Sequence, residues 1–144
     1  MTVIAWDGLI LAADKQATYG DHRKMSTKIF CVDNGSVIAV CGAVAKGLKI
    51  VEWFKSGCKR DDWPDTIQES DGWAQLIVAS TDGVYWYDRL PYPIPLEQPF
   101  MAWGNGDEFA MGALAMGATA IEAVEIASKY CEGCGMGVDY FKVR

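Results

Sequence analysis

Three short turn signals, each lying between two runs of apolar residues, constrain the fold of this chain more than any other feature. Asp7-Gly8, Asn34-Gly35 and Asp82-Gly83 are dipeptides typical of tight turns between antiparallel strands. The strands predicted from this pattern are Thr2–Trp6, Leu9–Ala13, Thr27–Asp33, Ser36–Cys41, Gln75–Ser80, Val84–Asp88, Phe100–Trp103 and Val138–Val143. Ser36–Cys41 is apolar on both of its faces, which indicates a strand covered on both sides.

One helix is predicted between the strands. Val44, Leu48, Val51 and Phe54 recur at helical spacing and predict its buried face, and Ser56-Gly57 is expected to end it. An amphipathic helix after a doubly covered strand implies a layer packed outside a sheet.

Two more helices are predicted near the end of the chain. Asp107 lies in the first turn of one, where negative charge favours helix formation, and Gly117 is expected to end it. Thr119–Glu122 has the capping-box pattern and begins the next helix, which runs to about Tyr130. The apolar face predicted for the first of these helices consists of Phe109, Ala110, Ala113 and Leu114.

Three segments are predicted to be connections. Asp14–Asp21 is polar and reads as a loop, and the acidic segment Cys58–Gly72 reads as a surface connection. Four prolines between Pro91 and Pro99 predict a long, stiff, extended crossover, which we favour over a docking site for a partner's aromatic groove.

The order of elements predicts an α+β fold in one domain spanning residues 1–144. The chain has 144 residues and 51% hydrophobic side chains, enough for one sizeable core. Antiparallel hairpins with helices segregated from them, and strands buried on both faces, favour two stacked sheets with helices outside.

Charge and hydropathy exclude several classes of partner. With 13 basic and 19 acidic residues the net charge is −6, so the chain is expected to repel nucleic-acid backbones. The best candidate for a membrane span, Val37–Val44, is too short to cross a membrane and is followed by Lys46. Because no basic segment precedes an apolar stretch at the start, we expect no secretory signal and a cytoplasmic location.

The chain has a single histidine, His22, so catalytic machinery based on histidine and metal sites with several histidines are unfavoured. A catalytic proton-transfer group would instead be a carboxylate, a lysine or the chain terminus. The five cysteines are an odd number and read as reduced thiols.

Thr2 offers one such group. Removal of Met1 would place a free α-amino group beside a hydroxyl on the same residue. The pKa of an α-amino group is about 7.7–8.0, so this amine could accept the hydroxyl proton and make the oxygen a nucleophile. A threonine at the second position is also common in chains without this chemistry.

Asp14 and Lys28 strengthen this hypothesis. Asp14 lies at the end of the strand predicted to pair with the one containing Thr2, and Lys28 lies on the next hairpin. A buried cation near Thr2 would lower the pKa of its hydroxyl and its amine, and Asp14 could hold that cation. Taken singly, Asp14 is more simply a turn cap and Lys28 an exposed lysine on a strand.

Together these stretches resemble the proteasome β-subunit family, nearest to the bacterial HslV-type peptidases. The resemblance covers nearly the whole chain. Its motifs are Thr2-Val-Ile-Ala, Leu-Ala-Ala-Asp14-x-Gln-Ala-Thr18, Thr-Lys28-Ile, Val37-Ile-Ala-Val-Cys-Gly42 before a helix, and Trp103-Gly104-Asn105-Gly106 before another helix.

This resemblance implies an N-terminal nucleophile hydrolase with a four-layer αββα sandwich. It implies that Thr2 is the nucleophile and, through its amine, the base. Asp14 and Lys28 match the acid and the lysine of the motif, and the N–H of Gly42 matches the oxyanion donor. Gly42 is equally explained as a glycine in a strand-to-helix turn, and both roles are compatible.

The resemblance also implies partners. It implies peptide or unfolded-protein substrates, a ring-forming homo-oligomer and an ATP-dependent unfoldase, and it implies neither a metal nor an organic cofactor.

The chain departs from the family at three secondary candidate positions. Asn105 replaces a serine of the glycine-rich turn, and Cys131 and Cys134 lie where many members carry an aspartate and a serine. Two alternatives therefore stay open, an inactive scaffold or assembly protein and a hydrolase of small amides. Cys131-x-x-Cys134 is also compatible with half a zinc site or a redox pair, although buried structural thiols are the simpler interpretation.

Overall fold

The computed structural model describes residues 2–64 and 73–143. The described strands are β1 Ile4–Trp6, β2 Ile10–Asp14, β3 Gln16–Tyr19, β4 His22–Met25, β5 Ile29–Cys31, β6 Val37–Gly42, β7 Ala74–Ser80, β8 Gly83–Asp88, β9 Pro93–Pro95, β10 Met101–Trp103 and β11 Val138–Lys142. The described α-helices are α1 Val44–Lys55, α2 Asp107–Ala115 and α3 Ala120–Tyr130. The turn and capping signals of the sequence therefore mark most of the element boundaries.

Two antiparallel sheets form the centre of the fold. One has the strand order β10-β1-β2-β11 and the other β5-β6-β7-β8-β9. Within the first sheet, Ile4 pairs with Trp103 on one side and with Ala13 on the other. β1 is thus an inner strand, and its start is held between the ends of β2 and β10.

The sheets are stacked and helices cover their outer faces. A core containing Ile4, Leu11 and Ile77 lies between the sheets. α1 packs on the outer face of the five-stranded sheet, and α2 and α3 pack on that of the four-stranded sheet. The predicted four-layer αββα arrangement is confirmed. Within the described residues, no helix is long and apolar enough to cross a membrane.

The prediction of a loop over Asp14–Asp21 is wrong. β3 and β4 form a separate two-stranded hairpin, in which Gln16 pairs with Met25 and Tyr19 with His22. Every residue of β4 is exposed, so no alternation of apolar and polar residues marked it as a strand. The strand structure of β4 depends on its backbone pairing with β3, which the pattern of apolar residues does not reveal.

Two other connections are more ordered than predicted. The proline-rich segment includes β9, which pairs with β8 at the edge of the sheet, where the missing N–H of proline is tolerated. Trp63, within the predicted surface connection, is buried and packs edge-to-face on Trp53. The part of that predicted connection from 65 to 72 lies outside the described residues.

The predicted buried faces of two helices are partly wrong. In α1, Val44 and Leu48 are exposed, and Ile50 and Trp53 are buried instead. In α2, Phe109 is exposed, whereas Ala110 and Leu114 are buried as predicted. The exposed Val44 and Leu48 of α1 line the cavity described below.

We predict that Ile77→Ala destabilises the fold far more than Ile94→Ala. Ile77 is fully buried between the sheets, and Ile94 is 40% exposed on the edge strand β9. Truncation at Ile77 should lower the free energy of unfolding by about 2–5 kcal/mol, because it leaves a cavity in the core. Urea denaturation should show less than about 1 kcal/mol for the matched change at Ile94. Equal losses would contradict the assigned core.

Candidate active site

The backbone of Thr2 is fixed from the side of β10. The N–H of Gly106 donates to the Thr2 carbonyl oxygen at 3.2 Å. Gly104 has a φ of +96°, and a side chain there would overlap the same carbonyl group. Glycine at this position therefore allows the close approach that holds Thr2, which is itself 3% exposed.

Asp14, at the end of β2, fixes Thr2 from the other side. Its Oδ1 accepts hydrogen bonds from the N–H of Val3 at 3.0 Å and from Lys28 Nζ at 2.7 Å. Its Oδ2 accepts from the N–H groups of Gln16 at 3.2 Å and Gly135 at 3.0 Å. This fully buried carboxylate is thus satisfied by four donors from four segments of the chain.

Lys28 lies directly before β5 and its side chain is almost entirely buried against Asp14. Burial lowers the pKa of the Lys28 ammonium below its usual value, and the charge of Asp14 opposes that shift. Since the N–H of Val3 and the ammonium of Lys28 share one carboxylate oxygen, the lysine is held close to the backbone that follows Thr2.

Gly42 ends β6 and presents its N–H toward the same region. Successive N–H groups of an antiparallel strand point to opposite edges. The N–H of Val40 donates to the Lys28 carbonyl at 2.9 Å, so that of Gly42 points to the same edge, beyond the start of β5. Gly42 has a φ of +110°, and a side chain there would overlap the Trp73 carbonyl, so the turn requires glycine.

These residues meet at one cavity of about 460 Å³. Thr2, Lys28, Gly42 and Asn105 all line it, and Asp14 lies behind them. Val40, Val44 and Leu48 contribute an apolar wall, which explains why the latter two face away from the core of α1. The cavity thus combines a small polar end with a larger apolar end, as ligand sites commonly do.

Cys131 and Cys134 do not line this cavity. Cys134 is buried behind it, where a side chain added at Gly106 would meet its sulfur, and Cys131 is half-buried at the end of α3. Burial first, and then the charge of Asp14, raise the pKa of the Cys134 thiol. Among the residues that the structure describes, no group of three or more His, Cys, Asp or Glu side chains could hold a metal.

Cys41 lies directly before Gly42 and carries a competing nucleophilic group beside the cavity. Its side chain is buried and donates to Gln75 Oε1 at 3.2 Å. Burial raises the pKa of this thiol to about 12. Cys41 is therefore a neutral thiol near neutral pH, and Thr2 remains the better candidate for the attacking group.

Two residues that position the site were not predicted. Gln16 is buried, and its amide donates to Thr18 Oγ1 at 3.2 Å and to the Glu132 carbonyl at 3.0 Å. Gly135 contacts Asp14 through its N–H. Gln16 was visible in the Asp14-x-Gln16 motif, but the approach of the loop from 131 to 137 depends on tertiary packing.

Comparisons with known proteins identify chains with a similar fold. A family model described as a proteasome subunit matches residues 1–65. BPH of Thiobacillus denitrificans in complex with epoxomicin is 19% identical, with 100% of this chain and 98% of that chain covered and a TM-score of 0.75. A second structure of BPH from Thiobacillus denitrificans is 18% identical, with 99% of this chain and 97% of that chain covered and a TM-score of 0.77.

HslV from Trypanosoma brucei is 18% identical, with 99% of this chain and 98% of that chain covered and a TM-score of 0.73. At these identities the structural likeness shows a shared fold. No curated protein sequence matches the chain. The predicted resemblance to proteasome subunits and HslV is confirmed.

We predict that Asp14→Asn strongly destabilises the protein, because it removes the negative charge that lies 2.7 Å from the buried Lys28 ammonium. Loss of one member of a buried pair costs about 3–5 kcal/mol. The matched control is Asp139→Asn, which removes a half-exposed partner of Lys15 at 2.9 Å and should cost less than about 1 kcal/mol. The free energy of unfolding in urea measures both changes, and equal effects would refute the structural role of Asp14.

Proposed function

We propose that this chain, whose residues 1–65 match proteasome subunits and whose fold is that of HslV, is a threonine-type endopeptidase. The observation that carries the proposal is the convergence of Thr2, Lys28 and Gly42 on one cavity, with Asp14 holding Lys28. The proposal requires removal of whatever precedes Thr2, so that its α-amino group is free.

In the proposed first step, the Thr2 hydroxyl oxygen attacks the carbonyl carbon of a peptide bond. Its proton passes to the α-amino group of Thr2, directly or through one water. The positive charge of Lys28 lowers the pKa of both groups, so more of the amine is unprotonated near neutral pH. A free threonine terminus thus supplies the nucleophile and the base without a histidine.

The tetrahedral intermediate carries a negative oxygen, and the N–H of Gly42 is the proposed donor to it. Such a donor contributes about 3–4 kcal/mol to transition-state stabilisation when it is fixed in position. The close approach of Gly42 to Trp73 and the bond from the Ala43 N–H to the Trp73 carbonyl at 3.0 Å favour this rigidity.

Collapse of the intermediate completes acyl transfer. The protonated Thr2 amine gives its proton to the leaving amide nitrogen, the C–N bond breaks, and an ester to the Thr2 oxygen remains. Water then attacks the ester with the Thr2 amine as base, which releases the acid and regenerates the hydroxyl. No step requires a group beyond those named.

The apolar wall of Val40, Val44 and Leu48 favours an apolar side chain in the substrate. We further propose that the substrates are peptides or unfolded proteins, and that the chain forms a ring of identical subunits served by an ATP-dependent unfoldase in the cytoplasm. These finer statements rest on the resemblance to HslV. A hydrolase of small amides would instead turn over small-amide panels and not peptides.

We predict that a peptide epoxyketone forms one adduct with the chain that begins at Thr2. The reagent is chosen because its electrophilic carbons react with an amine and an adjacent hydroxyl. Intact mass should show the adduct for the parent chain and for the matched control Thr81→Ala, which changes an exposed turn residue. Thr2→Ala should form none, and its peptide cleavage should fall by about 10³-fold or more.

The same experiment distinguishes the scaffold hypothesis. A chain with a verified free Thr2 terminus that forms no adduct and cleaves no peptide would contradict the proposal and favour an inactive assembly protein. An adduct that persists in Thr2→Ala would place the nucleophile elsewhere.

We predict that Lys28→Met lowers peptide cleavage by about 10²-fold and moves the rising limb of its pH profile to higher pH. Removing a neighbouring positive charge raises the pKa of the Thr2 amine, and cleavage needs that amine unprotonated. Lys142→Met, which removes an exposed lysine at the end of β11, should change neither property. Circular dichroism should verify folding, and an unshifted profile in folded Lys28→Met would contradict the proposed effect of Lys28 on the amine.

A further inference from the structure

The turn that follows α3 brings two cysteines together. The N–H of Cys131 donates to the Ala127 carbonyl at 2.8 Å, and that of Cys134 donates to the Cys131 carbonyl at 3.2 Å. A four-residue turn closed in this way places its first and last Cα atoms within about 7 Å, which overlaps the range that a disulfide spans.

The two thiols differ in access. Cys131 is half-buried at the end of α3, whereas Cys134 is only 3% exposed. Burial raises the pKa of the Cys134 thiol, so this sulfur is the poorer initial nucleophile. Reagents in solution can reach Cys131 first, and Cys134 is placed to resolve a bond formed there.

The turn is attached to the candidate active site at two points. The Cys134 sulfur packs against Gly106, whose N–H holds the Thr2 carbonyl at 3.2 Å. The next residue, Gly135, donates its N–H to Asp14 Oδ2 at 3.0 Å. A change in the position of Cys134 therefore acts on groups that fix Thr2 and Asp14.

The backbone after the turn includes one residue, Met136, in a conformation that its side chain disfavours. Gly135, Met136 and Gly137 have φ values of +152°, +63° and +109°. Met136 is a residue type that rarely adopts such a conformation, so neighbouring contacts must maintain it. These contacts include the bond from Gly135 to Asp14 and one from the Lys15 N–H to the Gly135 carbonyl at 3.0 Å.

We propose that Cys131 and Cys134 form a reversible intramolecular disulfide, and that the oxidised form cleaves peptides more slowly because the turn loosens from Gly106 and Asp14. The two cysteines are thus a modification site adjoining the catalytic centre. The disulfide itself does not depend on peptidase activity, and only its effect on cleavage rests on the proposed function.

The chemistry is thiol–disulfide exchange with a small disulfide such as oxidised glutathione. The Cys131 thiolate attacks one sulfur of the small disulfide, whose S–S bond breaks to release one thiolate. Cys134 then loses its proton to solvent and attacks the Cys131 sulfur, which releases the second thiolate. The protein thiols lose two electrons, and the small disulfide is reduced to two thiols.

The disulfide can be detected by mass spectrometry in one tryptic peptide. Trypsin cleaves after Lys129 and Lys142 and yields residues 130–142, which contain both cysteines. After equilibration with oxidised glutathione and alkylation, we expect this peptide two hydrogen atoms lighter and unalkylated, and dithiothreitol should restore two alkylated thiols. Alkylation of both cysteines at every glutathione ratio, or a stable mixed disulfide alone, would overturn the proposal.

The effect on the site is measured by amide hydrogen exchange and by peptide cleavage. On oxidation, the amides of Val3, Gly106 and Gly135 should exchange about tenfold faster, and cleavage should fall by about tenfold. Cys131→Ser should abolish both responses to oxidant, whereas the double variant Cys31→Ser, Cys58→Ser should keep them. Those two cysteines line a different cavity, beside the end of α1.

Hydrogen exchange separates the two proposals. In Thr2→Ala the exchange response should persist, because it does not require the nucleophile. If the peptide 130–142 shows the disulfide but the amides of Val3, Gly106 and Gly135 exchange at unchanged rates, the link between the turn and the site is overturned. Unchanged cleavage on oxidation in an active parent chain would overturn the link to activity.

Discussion

The buried carboxylate of Asp14 is the interaction on which the rest of the site depends. An ionised carboxylate out of contact with water is costly unless donors satisfy its oxygens. Here the donors are the backbone N–H groups of Val3, Gln16 and Gly135 and the ammonium of Lys28. The start of β1, the β3 strand, the loop after α3 and the segment before β5 must all be in place together. The fold of the two sheets and the geometry of the site therefore form as one unit.

Pairing with Asp14 also sets the electrostatic character of the cavity. Lys28 brings a positive charge beside Thr2, and Asp14 compensates that charge from behind, on the side away from the cavity. Burial favours the neutral form of Lys28 and Asp14 favours the charged form. The positive charge of Lys28 thus lies on the side of the cavity that contains Thr2. The Lys28–Asp14 pair as a whole adds no net charge beside the apolar wall. This combination is compatible with the peptide substrates of the proposed function.

Local signals in the sequence predicted those parts of the fold that local signals control. The turn at Asn34-Gly35, the capping box at Thr119 and the end of α1 at Ser56 follow from backbone chemistry within a few residues. The hairpin of β3 and β4 could not be predicted, because its exposed strand carries no apolar alternation. Val44 and Leu48 fit the helical pattern of buried residues, but they line a cavity. Helical spacing alone does not distinguish a residue that packs in the core from one that lines a cavity.

Residues of the site were predictable to the extent that a side chain or a motif marked them. Thr2, Asp14, Lys28 and Gly42 were singled out in the sequence, and the structure places them around one cavity or directly behind it. The donors contributed by the backbone were not visible, because any residue carries an N–H. Gly135 reaches Asp14 because of the path of its loop, in which Gly135, Met136 and Gly137 all have positive φ values.

The backbone contacts of Thr2 bear on how a residue near the start of the chain can be ordered. A chain end is ordinarily mobile, and fixing it costs conformational entropy. Here the carbonyl of Thr2 and the N–H of Val3 are bonded to Gly106 and to Asp14. Both bonds lie on the C-terminal side of the Thr2 α-carbon, so removal of what precedes Thr2 would bare its amine without releasing either. The entropy cost of ordering this backbone is therefore incurred during folding, and in the proposed mechanism it would not be incurred again when a substrate binds.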